Sequence, residues 1–272
     1  IRVETPDTAR HPYEWQTVAS HLTWSCGNAV HAAAVEARQK IFDTVHDARG
    51  YEEGTLYLED EAVKCETDPE FELPLADFVI DGIPMEDGTY RGGPIVGSGK
   101  FMPEFTSALS DPETSQGGHP NVHYTTGAAG IVLEIDIETG RMHVKKVALA
   151  VDVGRAINPA LIEGQITGGM LQGLATVLYE DMRFDDHGRL LNPNFTDYKI
   201  PTSLDTPDEM IPIIVEVAQP DGPFGARGVG EHTMIPAAPM VANAVEAALG
   251  LRITSMPITA EKVVLAALQT ST

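Results

Sequence analysis

The sequence is poor in cysteine and has no long apolar run. Among its 272 residues there are only two cysteines, Cys26 and Cys65, and they do not form a CxxC pair. This count excludes a disulfide scaffold, a cysteine-rich zinc site and iron–sulfur ligation within the chain, and it favours a reducing, cytoplasmic location. Because no run of about 18 uncharged apolar residues occurs, the sequence predicts a soluble protein without a membrane span.

Positive charge is also scarce. The chain has 18 Lys and Arg residues against 40 Asp and Glu residues, so its formal net charge at pH 7 is -22. A nucleic-acid-binding protein needs a basic face, and anionic lipid repels an acidic protein. The charge balance therefore predicts neither a nucleic-acid partner nor a membrane partner.

The remaining composition is that of a globular α/β or α+β protein. Hydrophobic residues make up 43% of the chain and charged residues 21%, so the disordered and fibrous classes are excluded. The length is compatible with one large domain or two modest ones. We treat residues 1–272 as one domain that contains a loop-rich segment at about 83–120, where proline and glycine interrupt every periodic pattern.

Apolar periodicity and turn residues define the predicted elements. Apolar steps of three and four predict a helix from Asn28 to about Val45, entered by a loop over residues 17–27. Asn158 is a good N-cap, and Pro159 suits the first position of a helix that runs to about Tyr179. The other predicted elements are hairpins at 55–65 and 131–151, a strand at 211–217, a glycine-rich loop at 222–230, a helix at 236–249, a strand near Ile253 and a last helix from Thr259.

The helix after Asn158 is unusual in its glycine content. It carries four glycines, at positions 164, 168, 169 and 173. Each interior glycine costs about 1 kcal/mol relative to alanine. We therefore expect something to approach the backbone of this helix closely. Gln165 and Gln172, seven residues apart, share one face of the helix.

The segment Gly222–Glu231 lies between a predicted strand and a predicted helix, where a dinucleotide-binding fingerprint would lie. Its spacing is wrong for that fingerprint, because Thr233 occupies the place of the third glycine. The segment instead delivers one carboxylate, Glu231, to the start of an apolar helix. On spacing alone, helix capping is the commoner role for such a carboxylate.

Five segments together carry more information than any one of them. They are Thr17-Val18-Ala19-Ser20 with Gly27-Asn28-Ala29-Val30, Asp152-Val153-Gly154 with Asn158-Pro159, Glu163-Gly164-Gln165 with Gln172-Gly173, Tyr198-Lys199-Ile200-Pro201, and Gly225-Ala226-Arg227-Gly228-Val229-Gly230-Glu231. In this order and spacing, the chain resembles the C-terminal cofactor-binding half of the molybdenum subunit in the xanthine dehydrogenase and aldehyde oxidase family. The resemblance implies an α+β fold of mixed or antiparallel sheets with packed helices, the second half of a molybdopterin-binding domain.

The resemblance also implies roles for individual residues. Ala19, Ser20, His21, Gln165 and Gly228 would bind the cofactor, with Gln165 hydrogen-bonded to the pterin and the Gly228 region wrapped around it. Ala19 would lie near the molybdenum through its backbone only, without a side-chain ligand. Glu231 would be the catalytic base. Arg227 stands where the family often has Lys, and His232-Thr233 stand where Pro-Pro is common. Because of these two differences, the resemblance does not define the shape of the substrate pocket.

At the level of function, the resemblance implies part of a molybdenum hydroxylase. The complete enzyme would hydroxylate an sp² carbon of an N-heterocycle or aldehyde, with water as the oxygen source. Its cofactor would be molybdenum with molybdopterin in a dinucleotide form. Iron–sulfur clusters, with FAD as an optional further centre, would lie on partner chains.

The same comparison of motifs indicates which partner chains to expect and leaves one alternative function. No segment matches the family's upstream half of the molybdenum domain, so the chain is expected to supply half a site. The expected partners are a larger molybdopterin subunit, an iron–sulfur subunit and optionally an FAD subunit, besides a small-molecule substrate. The alternative is a non-catalytic scaffold or cofactor-delivery protein with the same fold, which an intact Glu231 disfavours.

Overall fold

The structure is a computed structural model that describes residues 7–9, 11, 17–103, 106–108, 111 and 113–270. Its helices are α1 (Leu22–Arg49), α2 (Pro159–Leu178), α3 (Ala237–Leu249) and α4 (Ala260–Thr270). Its strands are β1 (Leu56–Glu59), β2 (Ala62–Cys65), β3 (Asp68–Pro74), β4 (Ile83–Pro84), β5 (Tyr90–Arg91), β6 (Gly127–Ile135), β7 (Met142–Asp152) and β8 (Glu209–Val215). The chain forms two compact units, a larger one of residues 1–23 and 107–272 and a smaller one of residues 24–106.

The larger unit is built on a three-stranded sheet in the order β6–β7–β8. β6 and β7 form the predicted antiparallel hairpin, whereas β8 pairs with β7 in parallel. A parallel neighbour requires a crossover connection, and α2 lies within it. The combination of a mixed sheet with packed helices confirms the predicted α+β class.

One face of this sheet carries the core of the larger unit. The buried residues that form it include Val147, Leu149 and Val151 of β7, Ile166, Met170 and Leu174 of α2, and Val241 and Val245 of α3. The α2 residues are spaced four apart, so they lie on one side of that helix. Burial of each such side chain contributes about 1.5–3 kcal/mol. This core fixes α2 against the sheet, and α2 also contacts the turn at Glu231–Thr233.

The smaller unit combines α1 with the antiparallel sheet β1–β2–β3. Its core includes Ile41, Val45, Val63, Phe78 and Ile83. The segment 97–99 lies directly on α1. A Cβ added at Gly97 would be 2.0 Å from the Ala33 carbonyl oxygen, and one added at Gly99 would be 2.1 Å from the Ala29 carbonyl oxygen. Glycine is therefore required at both positions by close backbone approach.

Two predicted elements differ from the structure. The prediction that α1 begins at Asn28 is wrong, because the helix begins at Leu22 and its entry loop ends at His21. Trp24, 2% exposed, anchors the first turn and offsets the cost of Gly27 inside the helix. The predicted strand near Ile253 is also wrong, because residues 251–254 form no regular element. Further along the chain, the Ile258 N–H donates to the Val177 carbonyl of α2 at 2.6 Å.

Other predictions agree with the structure. The Asn158 side chain accepts a hydrogen bond from the Leu161 N–H at 3.2 Å, which caps α2 as expected. Within the described residues of the loop-rich segment 83–120, the regular strands are β4 and β5, of two residues each. The description of residues 1–272 as one domain stays a prediction. No helix in the described part of the chain is long and apolar enough to cross a membrane.

We expect Gly97→Ala to lower the stability of the smaller unit. The added methyl would lie 2.0 Å from the Ala33 carbonyl oxygen, and such overpacking typically costs about 1–3 kcal/mol. Gly54→Ala is the control, because no atom lies within 4 Å of a Cβ at Gly54. Chemical denaturation of both variants should show a loss for Gly97→Ala only. Equal midpoints for the two variants would contradict the close approach to α1.

Candidate active site

The site begins with a short turn that precedes α1. Ala19 and Ser20 both have a φ of 52°, in the left-handed region, and the His21 N–H donates to the Val18 carbonyl at 3.3 Å. Residues other than glycine occupy that region at a cost of roughly 1–2 kcal/mol each. Two such residues in succession persist only where the surrounding structure holds them.

The glycine-rich loop after β8 supplies that surrounding structure. A Cβ added at Gly228 would lie 1.6 Å from the Ser20 carbonyl oxygen and 3.0 Å from the His21 Cα. A Cβ added at Gly230 would lie 2.6 Å from Ser20 Oγ. Gly228 therefore requires glycine because the two backbones touch, and Gly230 lies against the Ser20 side chain. The segments around Ser20 and Gly228, far apart in sequence, are therefore in contact.

Glu231 stands where these two segments meet. Its backbone N–H donates to Ser20 Oγ at 2.7 Å, and Ser20 Oγ donates to Glu231 Oε2 at 3.3 Å. Glu231 is exposed and opens a single 3₁₀ turn, Glu231–Thr233, whereas α3 begins at Ala237. The carboxylate is thus separated from α3, and this placement weakens the interpretation of Glu231 as the cap of that helix.

Gln165 of α2 lies next to this turn. Thr233 Oγ1 is 3.2 Å from the Gln165 carbonyl oxygen, and a Cβ at Gly230 would be 3.5 Å from Gln165 Oε1. The side-chain amide of Gln165 is exposed and makes no hydrogen bond within the described ranges. It is therefore available to a ligand, as donor and as acceptor.

The four glycines of α2 divide into two pairs. A Cβ at Gly169 would lie 1.8 Å from Thr233 Oγ1, and one at Gly173 would lie 2.5 Å from the Met234 carbonyl oxygen. These two glycines confirm the predicted close approach to the α2 backbone. Nothing lies within 4 Å of a Cβ at Gly164 or Gly168, so no contact in the described chain accounts for this second pair. They leave the helix surface beside Gln165 open.

An ion pair that the sequence analysis missed anchors the glycine-rich loop. Arg227 Nη1 lies 3.2 Å from Asp152 Oδ2, with both side chains only 12% exposed, and it also donates to the Tyr124 carbonyl at 3.0 Å. A Cβ at Gly154, whose φ is +65°, would lie 2.4 Å from the Gly225 carbonyl oxygen. The Asp152-Val153-Gly154 motif therefore holds the loop against the end of β7. Its signal in the sequence was an acid at a strand end together with an arginine in the loop.

Two half-buried histidines add to the electrostatics of this region. Burial lowers the pKa of His232 below its ordinary value, and the negative charge of Glu231 opposes that shift. Burial also lowers the pKa of His123, the positive charge of Arg227 adds to the effect, and Asp221 opposes it. The neutral imidazole is favoured at both positions. Among the residues that the structure describes, no group of three or more His, Cys, Asp or Glu is arranged to hold a metal ion.

The fold and this geometry can be compared with known proteins. The sequence profile of the family described as "Molybdopterin cofactor-binding domain" matches residues 1–207. This match covers most of the chain, and the protein belongs to that family. This membership confirms the molybdopterin-binding family that the resemblance implied.

Individual relatives agree with this assignment. The chain is 32% identical to the nicotine 6-hydroxylase large subunit of Paenarthrobacter nicotinovorans, over 97% of this chain and 31% of that protein. It is 29% identical to the xanthine dehydrogenase molybdenum-binding subunit of Escherichia coli O157:H7, over 96% of this chain and 32% of that protein. The structure of the reconstituted CO dehydrogenase from Oligotropha carboxidovorans matches with a TM-score of 0.78 and 26% identity, over 97% of this chain and 31% of that chain. The chain thus spans about a third of the length of each.

We expect Gly230→Ala to disturb the contact that holds Glu231. The new methyl would lie 2.6 Å from Ser20 Oγ, so the loop or the turn must shift, at a cost of about 1–3 kcal/mol. Gly130→Ala in β6 is the matched control, because nothing lies within 4 Å of a Cβ there. Urea denaturation of the two variants should separate them. A Gly230→Ala variant as stable as Gly130→Ala would contradict the close contact between Gly230 and Ser20 Oγ.

Proposed function

We propose that this chain forms one wall of the active site of a molybdenum hydroxylase and supplies its catalytic base, Glu231. The observation that carries the proposal is the exposed carboxylate held by Ser20, with the uncommitted amide of Gln165 beside it. A non-catalytic scaffold or cofactor-delivery protein needs no carboxylate fixed in this way. If the chain were such a scaffold, replacing the Glu231 carboxylate would leave turnover per molybdenum unchanged.

The residues present suit molybdopterin. A flat, polar, anionic cofactor requires N–H donors at close range, which backbone turns and amide side chains provide. The turn would offer the backbone N–H groups of Ala19 and Ser20, while the His21 N–H closes the turn on the Val18 carbonyl. Gln165 would offer its side-chain amide. The open face at Gly164 and Gly168 leaves room beside that amide. In this proposal Ala19 lies near the metal through its backbone only.

Gly228 has an indirect part in the same proposal. It is buried, and a Cβ there would overlap the Ser20 carbonyl oxygen. Its contribution is to let the glycine-rich loop close on the turn before α1. The cofactor would then be bordered by both segments.

The chemistry of the chain itself centres on one proton. When bound, the molybdenum–pterin centre supplies two-electron redox chemistry and lowers the pKa of water at the site. Glu231 accepts the proton that the water-derived nucleophile must lose, at a carboxylate oxygen. A positioned general base of this kind typically accelerates a reaction by about 10²- to 10⁴-fold.

The substrate class in this proposal is an N-heterocycle or aldehyde that is hydroxylated at an sp² carbon, with water as the oxygen source. Nicotine and xanthine, which appear in the names of two relatives, are both N-heterocycles. Turnover of a panel of N-heterocycles, aldehydes and carbon monoxide by the purified complex tests the class. Activity with carbon monoxide alone would contradict it.

The rest of the enzyme would come from other segments or chains. The chain spans about a third of the length of its relatives, and its two cysteines cannot hold an iron–sulfur cluster. We propose a larger molybdopterin subunit, an iron–sulfur subunit and optionally an FAD subunit as partners. The pterin would be in a dinucleotide form, and the complex would lie in the cytoplasm.

We expect this chain, expressed alone, to hold no molybdenum, and its complex with a larger molybdopterin subunit to hold about one per copy. A site assembled from two walls is lost when one wall is absent. Metal analysis and pterin content of the two preparations provide the measurement. Stoichiometric cofactor bound to the isolated chain would refute the divided site.

We expect Glu231→Gln in the assembled enzyme to retain molybdenum and pterin but to lose turnover by roughly 10²- to 10⁴-fold. Glutamine keeps the size and much of the hydrogen bonding of glutamate, but it cannot accept the proton. Glu209→Gln in β8 is the control, because Glu209 pairs on the surface with Lys146. Turnover per bound molybdenum is the measurement. A Glu231→Gln variant within about threefold of wild type would favour the scaffold or cofactor-delivery alternative.

A further inference from the structure

The Ser20 hydroxyl makes hydrogen bonds to two atoms of Glu231. Its oxygen accepts the Glu231 backbone N–H at 2.7 Å and lies 3.3 Å from Glu231 Oε2. A serine hydroxyl has one proton and two lone pairs. Because a lone pair receives the N–H, the proton is directed to Oε2. The other carboxylate oxygen, Oε1, has no hydrogen-bond partner in the ranges that the structure describes.

The backbone places this hydroxyl as firmly as the hydrogen bonds do. Ser20 has a φ of 52°, and the carbonyl and hydroxyl oxygens of Ser20 fill the space that a Cβ at Gly228 or Gly230 would occupy. The glycine-rich loop therefore closes on Ser20 from the side that carries Glu231. A shift of Ser20 would therefore disturb both its close contact with the loop and its hydrogen bonds to Glu231.

We propose that Ser20 is a positioning residue for Glu231: it holds Oε2, so that Oε1 is the oxygen that receives the proton. This inference rests on the proposed role of Glu231 as base and adds which atom acts and what orients it. A free glutamate side chain samples several rotamers, and only a fraction of them aim the carboxylate correctly. Fixing one rotamer in advance increases the population of the reactive geometry.

A purely structural role for Ser20 would lead to a different result when Ser20 is replaced. As a cap of the turn Glu231–Thr233, Ser20 would need only its acceptor oxygen, and its removal would loosen the turn whether residue 231 is Glu or Gln. As a positioning residue, Ser20 acts through the carboxylate. Its removal then matters for turnover only while residue 231 is a functioning base.

A double-mutant cycle in the assembled, molybdenum-loaded complex separates the two roles. The variants are Ser20→Ala, Glu231→Gln and the double substitution, each assayed for kcat, KM and molybdenum content. We expect Ser20→Ala to lower kcat by about ten- to hundredfold, with KM and molybdenum content within about twofold of wild type. In the Glu231→Gln background, the same change should alter kcat by less than about twofold.

Two further variants keep the test decisive. Ser20→Gly removes the hydroxyl and relieves the left-handed backbone, so it should fold at least as well as Ser20→Ala and show the same loss of kcat. Ser115→Ala is the matched control, because Ser115 is exposed and has a φ of 55° outside the site. It should leave kcat unchanged. Hydrogen exchange at the Glu231 amide should accelerate in both Ser20 variants, independently of activity.

The outcomes distinguish this inference from the proposed function. An unchanged kcat in Ser20→Ala, a loss that persists in the Glu231→Gln background, or a loss of molybdenum would each overturn the positioning role while Glu231 remains the base. Near-wild-type turnover of Glu231→Gln alone would overturn the proposed function itself. If Ser20→Ala had the same effect on kcat in both backgrounds and hydrogen exchange at the Glu231 amide were unchanged, the hydrogen bonds between Ser20 and Glu231 would be shown not to form.

Discussion

The contact between a left-handed turn and a glycine-rich loop is the constraint on which the candidate site depends. Ser20 can adopt its φ of 52° because Gly228 and Gly230 leave room for its oxygens. In return, the Ser20 hydroxyl fixes the main chain and the carboxylate of Glu231. A side chain at either glycine would separate the two segments. The buried pair of Arg227 and Asp152 keeps the loop in place, and loss of one partner would leave an uncompensated buried charge.

The charge of the protein explains the kind of groups that this site uses. A chain with a net charge of -22 repels an anionic cofactor, so attraction must come from short-range donors. Arg227, the cation of the glycine-rich loop, is neutralised by Asp152, and burial favours neutral imidazoles at His123 and His232. Backbone N–H groups and the Gln165 amide remain as donors. They act only at hydrogen-bonding distance, which is why close backbone approach matters in this fold.

Local patterns in the sequence predicted the elements well and their meeting points poorly. Asn158-Pro159 caps α2, and alternation in the long hairpin gave β6 and β7, because both signals depend on neighbouring residues. The contact of Ser20 with Glu231 joins residues 211 apart, so no local pattern contains it. The glycines of α2 show why local sequence is insufficient. Thr233 occupies the space where a Cβ at Gly169 would lie, whereas a Cβ at Gly168 would face open space, although the two glycines are adjacent in sequence. The order of motifs, through a family resemblance, supplied what periodicity could not.

Ser20, Gln165 and Glu231 are proposed to border one molybdopterin site. The most direct measurement is an experimental structure of the assembled, molybdenum-loaded complex that contains this chain. We expect pterin within hydrogen-bonding distance of the Gln165 amide and the Ala19–Ser20 backbone beside the metal. Glu231 Oε1 should face the metal while Oε2 stays hydrogen-bonded to Ser20. Pterin bound elsewhere, or a Glu231 carboxylate turned away from the metal, would contradict it.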